Sequence, residues 1–224
     1  LGIDTNLYHC NEGHAAFTGL ERLREYIQEQ NMTFPEAREI VRASSLFTTH
    51  TPVPAGHDYF DEDLMRTYIA HYPSRMKISW NQLMNLGRVH PNNTHEKFSM
   101  SCLAVNLSQE VNGVSKLHGQ VSREMFSDMW KGYMTDELHI GYVTNGVHLP
   151  TWLSRPMRSL YLRELGRGFL HQQEQRDRWE KIREVPDATL WKIRSQERGE
   201  LIDFIRQRLA NASNRLMDNP RQMV

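Results

Sequence analysis

The segment from Thr48 to Phe60 constrains the fold of this chain more than any other. It reads Thr-Thr-His-Thr-Pro-Val-Pro-Ala-Gly-His-Asp-Tyr-Phe, and the residues just before it, 45–47, have the composition of a buried strand. Pro52 and Pro54 remove backbone donors and fix φ, so the strand must leave the sheet at about Thr51. Open α/β sheets bind ligands beyond the carboxyl ends of their strands. This polar turn is therefore a candidate small-molecule site.

The segments before this turn predict an α/β domain. We expect a short strand over 3–8 and then a helix with Asn11 as its N-cap. The residues Thr33-Phe34-Pro35-Glu36 combine a capping box with an early proline, which predicts a second helix to about Arg42. A strand over 44–49 then leads into the turn. The order strand, helix, helix, strand favours a helix-rich domain around a small, mostly parallel sheet.

The remainder of the chain is predicted to be largely helical. Apolar spacing and capping residues predict helices over 61–70, 98–106, 115–130, 156–168 and from 187 onward, with a short strand over 140–144. The apolar residues in and just before the 115–130 helix repeat every three or four residues, which is typical of core packing; they are Val114, Leu117, Val121, Met125 and Met129. We expect one domain over residues 1–168 and a helical connecting segment over 169–224.

Composition excludes several classes of function. The 224 residues carry 27 basic and 27 acidic side chains, so no net field attracts nucleic acid or an anionic membrane. No apolar run approaches the roughly 20 residues that span a bilayer, and no signal peptide is recognisable, so we expect a cytoplasmic protein. Two cysteines are too few for a disulfide framework. The chain lacks an initiator methionine, and we expect it to be a fragment of a longer protein.

Residue spacing argues against two kinds of catalytic site. None of the eleven histidines lies in a His-Glu-x-x-His or comparable arrangement, so no metal site is expected. A Gly-x-Ser-x-Gly elbow, which would indicate a hydrolase, is also absent from the sequence. His50 and Asn145 each follow an apolar strand, and both side chain types can donate and accept hydrogen bonds, as a hydroxyl-rich ligand requires. The alternative is that both only satisfy the backbone of their turns.

Three further segments have the same polar, turn-forming character as Thr48–Phe60. They read His-Cys-Asn-Glu-Gly-His-Ala-Ala-Phe over 9–17, Val-Asn-Gly-Val-Ser-Lys-Leu-His-Gly over 111–119, and Tyr-Val-Thr-Asn-Gly-Val-His-Leu-Pro-Thr-Trp-Leu over 142–153. In this order and at this separation, the four segments resemble the α-glucan phosphorylases, which act on glycogen, starch or maltodextrin. The wording Pro-Val-Pro-Ala-Gly-His-Asp resembles the bacterial and archaeal branch.

The resemblance implies a glycosyltransferase-B fold and a set of sugar-binding residues. It places His50, as the catalytic residue, and Asn145 at the primary hydroxyl of the glucosyl unit. His14 and Glu12 would line the neighbouring sugar channel, with Gly56 and Asp58 in the loop beside it. For Asn112 and His118, which match the family's Asn-Gly-Val segment, helix capping and support of the pocket wall are the expected roles.

The implied reaction is the release of glucose 1-phosphate from an α-1,4-glucan by orthophosphate, with retained configuration. The family uses pyridoxal phosphate on a lysine of its C-terminal domain, and the sequence around Lys116 does not resemble that site. We therefore expect the cofactor lysine and the phosphate-binding cluster to lie outside this chain, and the fragment alone to be inactive. The complete enzyme could form a homo-oligomer. The alternative function is a non-catalytic glucan-binding or assembly module with the same fold.

The sequence also makes a geometric prediction. We expect the strands that end at about Thr49 and Thr144 to lie in one largely parallel sheet, with their carboxyl ends side by side. His50 and Asn145 should then approach one another at the same edge.

Overall fold

The computed structural model describes residues 5–218, and the chain divides after Asn145 into two compact units. Sequence reasoning placed the division at Gly168. The assignment of a sugar-binding role to the first part and a connecting role to the second stays a prediction.

The first unit is an α/β domain, as the element order predicted. A four-stranded sheet with every pairing parallel has the order β1-β2-β5-β6, and β3 and β4 form a separate antiparallel pair. The strands are β1 (Tyr8–Asn11), β2 (Ser45–Thr48), β3 (Tyr59–Phe60), β4 (Phe98–Ser99), β5 (Glu110–Gly113) and β6 (Ile140–Tyr142). The helices are α1 (Phe17–Glu29), α2 (Phe34–Ala43), α3 (Glu62–Ile69), α4 (Tyr72–Met76), α5 (Trp80–Asn85), α6 (Met100–Asn106) and α7 (Lys116–Phe126).

Two local predictions near the start of the chain are wrong. Within the described residues the first strand begins at Tyr8 and continues to Asn11, so Asn11 belongs to β1 and does not cap a helix. A single 3₁₀ turn over Gly13–Ala15 separates this strand from α1. Residues 3 and 4 of the predicted strand lie outside the described part of the chain.

The capping box before α2 is confirmed. Glu36 accepts hydrogen bonds from the backbone N–H of Thr33 at 2.8 Å and from its hydroxyl at 2.6 Å. These bonds hold the pKa of the exposed Glu36 carboxyl below its ordinary value. A fixed start for α2 matters because the helix leads directly into β2, the strand that carries the candidate site.

One core joins the sheet to the helices of the first unit. Fully buried apolar side chains of α1, α2, β2, α5 and α6 meet there, among them Leu23, Val41, Phe47, Leu83 and Leu103. Met125 and Met129 pack against this core, as the apolar spacing predicted. Leu117, which the same spacing assigned to the core, is 70% exposed. The helix α6 is buried along almost its whole length, which explains why its sequence is apolar without a polar face.

The second unit is helical. Its helices are α8 (Leu149–Trp152), α9 (Arg155–Leu165), α10 (Arg176–Glu180) and α11 (Asp187–Asp218). Edge-to-face contacts join Tyr161, Phe169 and Trp179 into an aromatic cluster. Among residues 5–218, no helix has the length and apolar character needed to cross a bilayer.

Candidate functional site

The polar turns after β2 and β6 lie at the same edge of the parallel sheet. His50 follows β2 and Asn145 follows β6, and both side chains are exposed. The prediction that the two strands share one parallel sheet is confirmed. The prediction that their ends lie side by side is wrong, because β5 lies between them. Two strand spacings separate the turns by about 10 Å, a distance that a ligand can bridge.

Glu12 anchors the turn that carries His50. Its Oε2 accepts hydrogen bonds from the backbone N–H of His50 at 2.7 Å and from the hydroxyl of Thr51 at 3.1 Å. Its Oε1 accepts a hydrogen bond from the N–H of Gly13 at 2.9 Å. One carboxylate therefore ties the end of β1 to the end of β2.

The environment of Glu12 favours its ionised form. Burial by itself raises the pKa of this carboxyl, but the hydrogen bonds from Gly13, His50 and Thr51 outweigh that effect. The net result is a pKa below the ordinary value of 4.5. At neutral pH the group is a fixed negative charge that only accepts hydrogen bonds.

The turn that carries Asn145 is anchored in a different way. The backbone N–H of Asn145 donates to the carbonyl of Val114 at 3.2 Å, and the N–H of Val114 donates to Nδ1 of His118 at 3.2 Å. His118 is buried at the first turn of α7, whose Ser115 hydroxyl caps the helix by accepting from the His118 N–H. This geometry agrees with the supporting role expected for His118.

Asn112 belongs to a row of polar side chains that crosses three strands. The hydroxyl of Thr48 donates to Oδ1 of Asn112 at 2.9 Å, and Nε2 of His9 lies 2.6 Å from the same hydroxyl oxygen. Since the single hydroxyl proton is used toward Asn112, His9 must donate through Nε2. The row fixes β1, β2 and β5 in register. Sequence reasoning did not single out His9 or Thr48, because the three side chains meet only through the pairing of β2 with β1 on one side and with β5 on the other.

The remaining predicted site residues lie in the loops that follow β1 and β2. His14 is exposed in the 3₁₀ turn that follows Glu12, and Gly56 ends a 3₁₀ turn over Pro54–Gly56. The Asp58 side chain is exposed, while its carbonyl accepts from the N–H of Met100. A Cβ at Gly56 would lie 2.5 Å from Cγ2 of Thr51, so this turn is compact.

His57 has a structural environment that the sequence did not reveal. It is buried, with Nδ1 2.7 Å from the Ser101 hydroxyl and Nε2 3.3 Å from the Met125 sulfur. Burial lowers the pKa of His57, and the nearby Glu12 and Asp58 oppose that shift only in part. His57 is thus a neutral side chain that fastens the turn to α6 and α7. The only sequence feature that could have drawn attention to His57 is its position between Gly56 and Asp58, two predicted site residues.

The chemistry available at this edge is that of hydrogen-bonding groups beside the fixed carboxylate of Glu12. Imidazole, carboxamide and backbone groups suit a ligand rich in hydroxyl groups. The structure, over residues 5–218, brings together no three histidine, cysteine, aspartate or glutamate side chains that could hold a metal ion. All six lysines are exposed, whereas a lysine that forms a Schiff base is activated in a desolvated pocket. The described residues therefore do not fit a pyridoxal phosphate site.

Comparison with known proteins gives a consistent result. A sequence model of the carbohydrate phosphorylases matches residues 3–218. The chain is 40% identical to a glycogen phosphorylase of Mycobacterium tuberculosis over 211 residues, which cover 91% of this chain and 24% of that protein. It is 36% identical to a maltodextrin phosphorylase of Thermococcus litoralis, with 96% of this chain and 25% of that protein covered.

A third relative is a glycogen phosphorylase of Aquifex aeolicus, which is 34% identical over 93% of this chain and 29% of its own length. The chain thus spans about a quarter of the length of the curated relatives it matches. The family match extends over nearly all of the chain and includes all four of the segments described above. The chain belongs to the carbohydrate phosphorylase family.

Proposed function

We propose that this chain is part of an α-glucan phosphorylase and supplies one wall of its sugar-binding cleft. The complete protein would release glucose 1-phosphate from glycogen or maltodextrin with orthophosphate as the second substrate. The names of the relatives support this reaction class. The observation that carries the proposal is the placement of His50 and Asn145 at one edge of the parallel sheet, both exposed and both held by their backbone N–H groups.

His50 is the residue we assign to the catalytic step. Its imidazole, placed at the primary hydroxyl of the glucosyl unit, would form a hydrogen bond that strengthens as the sugar distorts toward an oxocarbenium-like transition state. A preorganised donor stabilises a transition state more than a mobile one, because it needs no reorganisation during the reaction. The Glu12 anchor and the proline after Thr51 both restrict this turn.

Asn145 and the residues beside the two turns complete the proposed sugar contacts. Asn145 would bind the same glucosyl unit, while His14, Gly56 and Asp58 would line the adjoining channel. Their positions support this assignment, because His14 follows the Glu12 anchor and the other two belong to the turn after β2. A glycosyltransferase-B architecture for the complete enzyme would put this edge opposite a second domain.

Pyridoxal phosphate enters the proposal only as a component of the complete enzyme. The exposed lysines of this chain do not fit its binding, so we place its lysine and the orthophosphate-binding cluster in the remainder of the protein. No step assigned here to a residue of this chain depends on that group.

The test is phosphorolysis by the complete protein loaded with pyridoxal phosphate. Wild-type enzyme should form glucose 1-phosphate from maltodextrin and orthophosphate. The His50→Ala variant should lose transition-state stabilisation of roughly 2 to 4 kcal/mol, seen in kcat as well as in kcat/KM.

Two results would contradict the proposal. An unchanged kcat in folded His50→Ala enzyme would remove His50 from the catalytic step. Binding of maltodextrin without any formation of glucose 1-phosphate by the wild type would instead favour the non-catalytic binding module.

A further inference from the structure

We infer that Glu12 is a positioning residue for His50, and that its carboxylate holds the catalytic turn in place without itself being a sugar ligand. This inference rests on the proposed function, because it concerns how the catalytic histidine is fixed. It assigns to Glu12 a role different from the channel-lining role that the family resemblance implies.

The backbone of Glu12 adopts a conformation that normally belongs to glycine. Its φ is 70° and its ψ is 163°, a combination from which side chains are excluded by steric contacts. Lys77, another residue with positive φ, has φ 56° and ψ 38°, which is the ordinary left-handed helical region. A strained residue of this kind persists only where its surroundings hold it, and such residues concentrate at functional sites.

The contacts of the Glu12 side chain account for the strain. Both carboxylate oxygens accept hydrogen bonds from the protein, three in all, and two of these come from the turn that carries His50. The shortest joins Oε2 to the backbone N–H of His50 at 2.7 Å. Glycine at this position would adopt the same backbone without strain, but it would leave the N–H of His50 without this acceptor.

The geometry gives Glu12 a task that a neutral or shorter side chain cannot perform fully. Glutamine offers one acceptor oxygen and one NH₂ group, so it can satisfy either Gly13 or His50 but not both. Aspartate is one methylene shorter and cannot span the same donors. The hydrogen bonds that lower the pKa of Glu12 keep the acceptor ionised throughout the neutral range.

The test uses three variants of the complete, cofactor-loaded enzyme: Glu12→Gly, Glu12→Gln and the control Lys77→Gly. The Glu12→Gly change relieves backbone strain while removing the anchor. We expect its kcat to fall on the order of tenfold to a hundredfold, as a displaced catalytic group would, with KM changed by less than about threefold. The kcat of Glu12→Gln should lie between the kcat of Glu12→Gly and that of the wild type. Lys77→Gly also puts glycine at an exposed position with positive φ, but it removes no contact with the His50 turn, so kcat should stay at the wild-type value.

A second measurement does not depend on activity. Hydrogen exchange of the peptide over 46–56 includes the His50 amide, whose N–H donates a hydrogen bond to the Glu12 carboxylate in the folded enzyme. This exchange should become at least about tenfold faster in Glu12→Gly and stay unchanged in Lys77→Gly.

The outcomes separate the two roles of Glu12 from each other and from the proposed function. A raised KM with unchanged kcat and unchanged exchange would mark Glu12 as a ligand of the sugar and overturn the inference. Wild-type kcat and exchange in Glu12→Gly would also overturn it. If the wild-type enzyme makes no glucose 1-phosphate, the proposed function fails, whereas faster exchange in Glu12→Gly would still establish the anchor.

Discussion

At the scale of single residues, His50 and Asn145 lie in the turns that follow β2 and β6, and β5 lies between these two strands. Their turns are therefore about 10 Å apart, and side chains of this length can reach one ligand group from two sides. The residue types and their positions after strands were predictable from the sequence. The distance between them was not predictable, because it depends on β5, a strand that the sequence pattern does not predict.

The proposal that His50 and Asn145 bind one sugar gives a prediction for two variants. Asn145→Ala should lower kcat/KM by about tenfold to a hundredfold, in the same direction as His50→Ala. If both residues hold one hydroxyl, the double variant should lose less than the sum of the single losses, with a coupling of about 0.5 to 3 kcal/mol. Steady-state phosphorolysis of the four enzymes measures this coupling. Strict additivity would place the two side chains on different parts of the ligand.

The buried His57 predicts a dependence of local stability on pH. Its pKa is depressed in the folded protein, so between that value and about 6.5 the unfolded chain binds the proton and the folded chain does not. Stability contributed by His57 is thus fully present above about pH 6.5 and is lost as the pH falls below it. Hydrogen exchange of peptides that contain Ser101 or Met125, corrected for intrinsic rates, should show faster opening at pH 5 than at pH 7.

The His57→Asn variant provides the control for this pH effect. Asparagine keeps a polar atom toward Ser101 but does not titrate, so the difference between pH 5 and pH 7 should shrink. A pH dependence of the same size in the variant would assign the effect to another group.

At the scale of elements, β5 is the strand of the parallel sheet that could not be predicted from the sequence. The strand β2, the capped helix α2 and the helix α7 followed from apolar spacing, capping residues and prolines. In β5, the residues Glu-Val-Asn-Gly contain one buried apolar side chain, Val111, and no periodic pattern. Its identity as a strand comes from pairing on both sides, with β2 and with β6. A sequence pattern cannot contain that information.

Close packing of β5 against α7 gives a prediction for Gly113. A Cβ at this position would lie 2.9 Å from the backbone N of Gly119 and 3.0 Å from the carbonyl carbon of His118. Gly113→Ala should therefore push α7 away from the sheet and disturb the path from His118 through Val114 to Asn145. We expect a loss of about 1 to 3 kcal/mol in stability and a lower kcat.

Thermal unfolding and phosphorolysis of the complete enzyme measure these two effects. The matched control is Gly199→Ala, where a Cβ meets no atom within 4 Å. Because this glycine lies within α11, alanine there should leave kcat unchanged and add up to about 1 kcal/mol of helix stability. Equal unfolding temperatures for Gly113→Ala and the wild type would show that the sheet and α7 adjust without cost.

At the scale of the whole chain, α11 carries apolar side chains that face solvent. Leu201, Phe204, Ile205 and Leu209 are all exposed, and their spacing of three or four residues puts them along one stripe. An apolar stripe of this kind promotes association when nothing covers it. We expect the 224-residue chain, produced alone, to self-associate at micromolar concentration.

Sedimentation velocity checks this expectation with two variants. Leu201→Glu combined with Ile205→Glu should shift the chain toward monomer. Gln207→Glu adds charge at another exposed position of the same helix and should leave association unchanged. A monomeric wild-type chain would show that the stripe has no such effect.

The wide sequence separation of the paired strands has a consequence for synthesis on the ribosome. Thr48 and Asn112, which share a hydrogen bond in the finished sheet, are 64 residues apart. At translation rates of about 5 to 20 residues per second, roughly 3 to 13 s pass between the synthesis of β2 and that of β5, its second neighbour in the sheet. During that interval the edge of β2 that will pair with β5 has no partner strand, and the nascent chain must avoid other pairings there. The growing polypeptide is therefore most in need of chaperone protection between the emergence of β2 and that of β5.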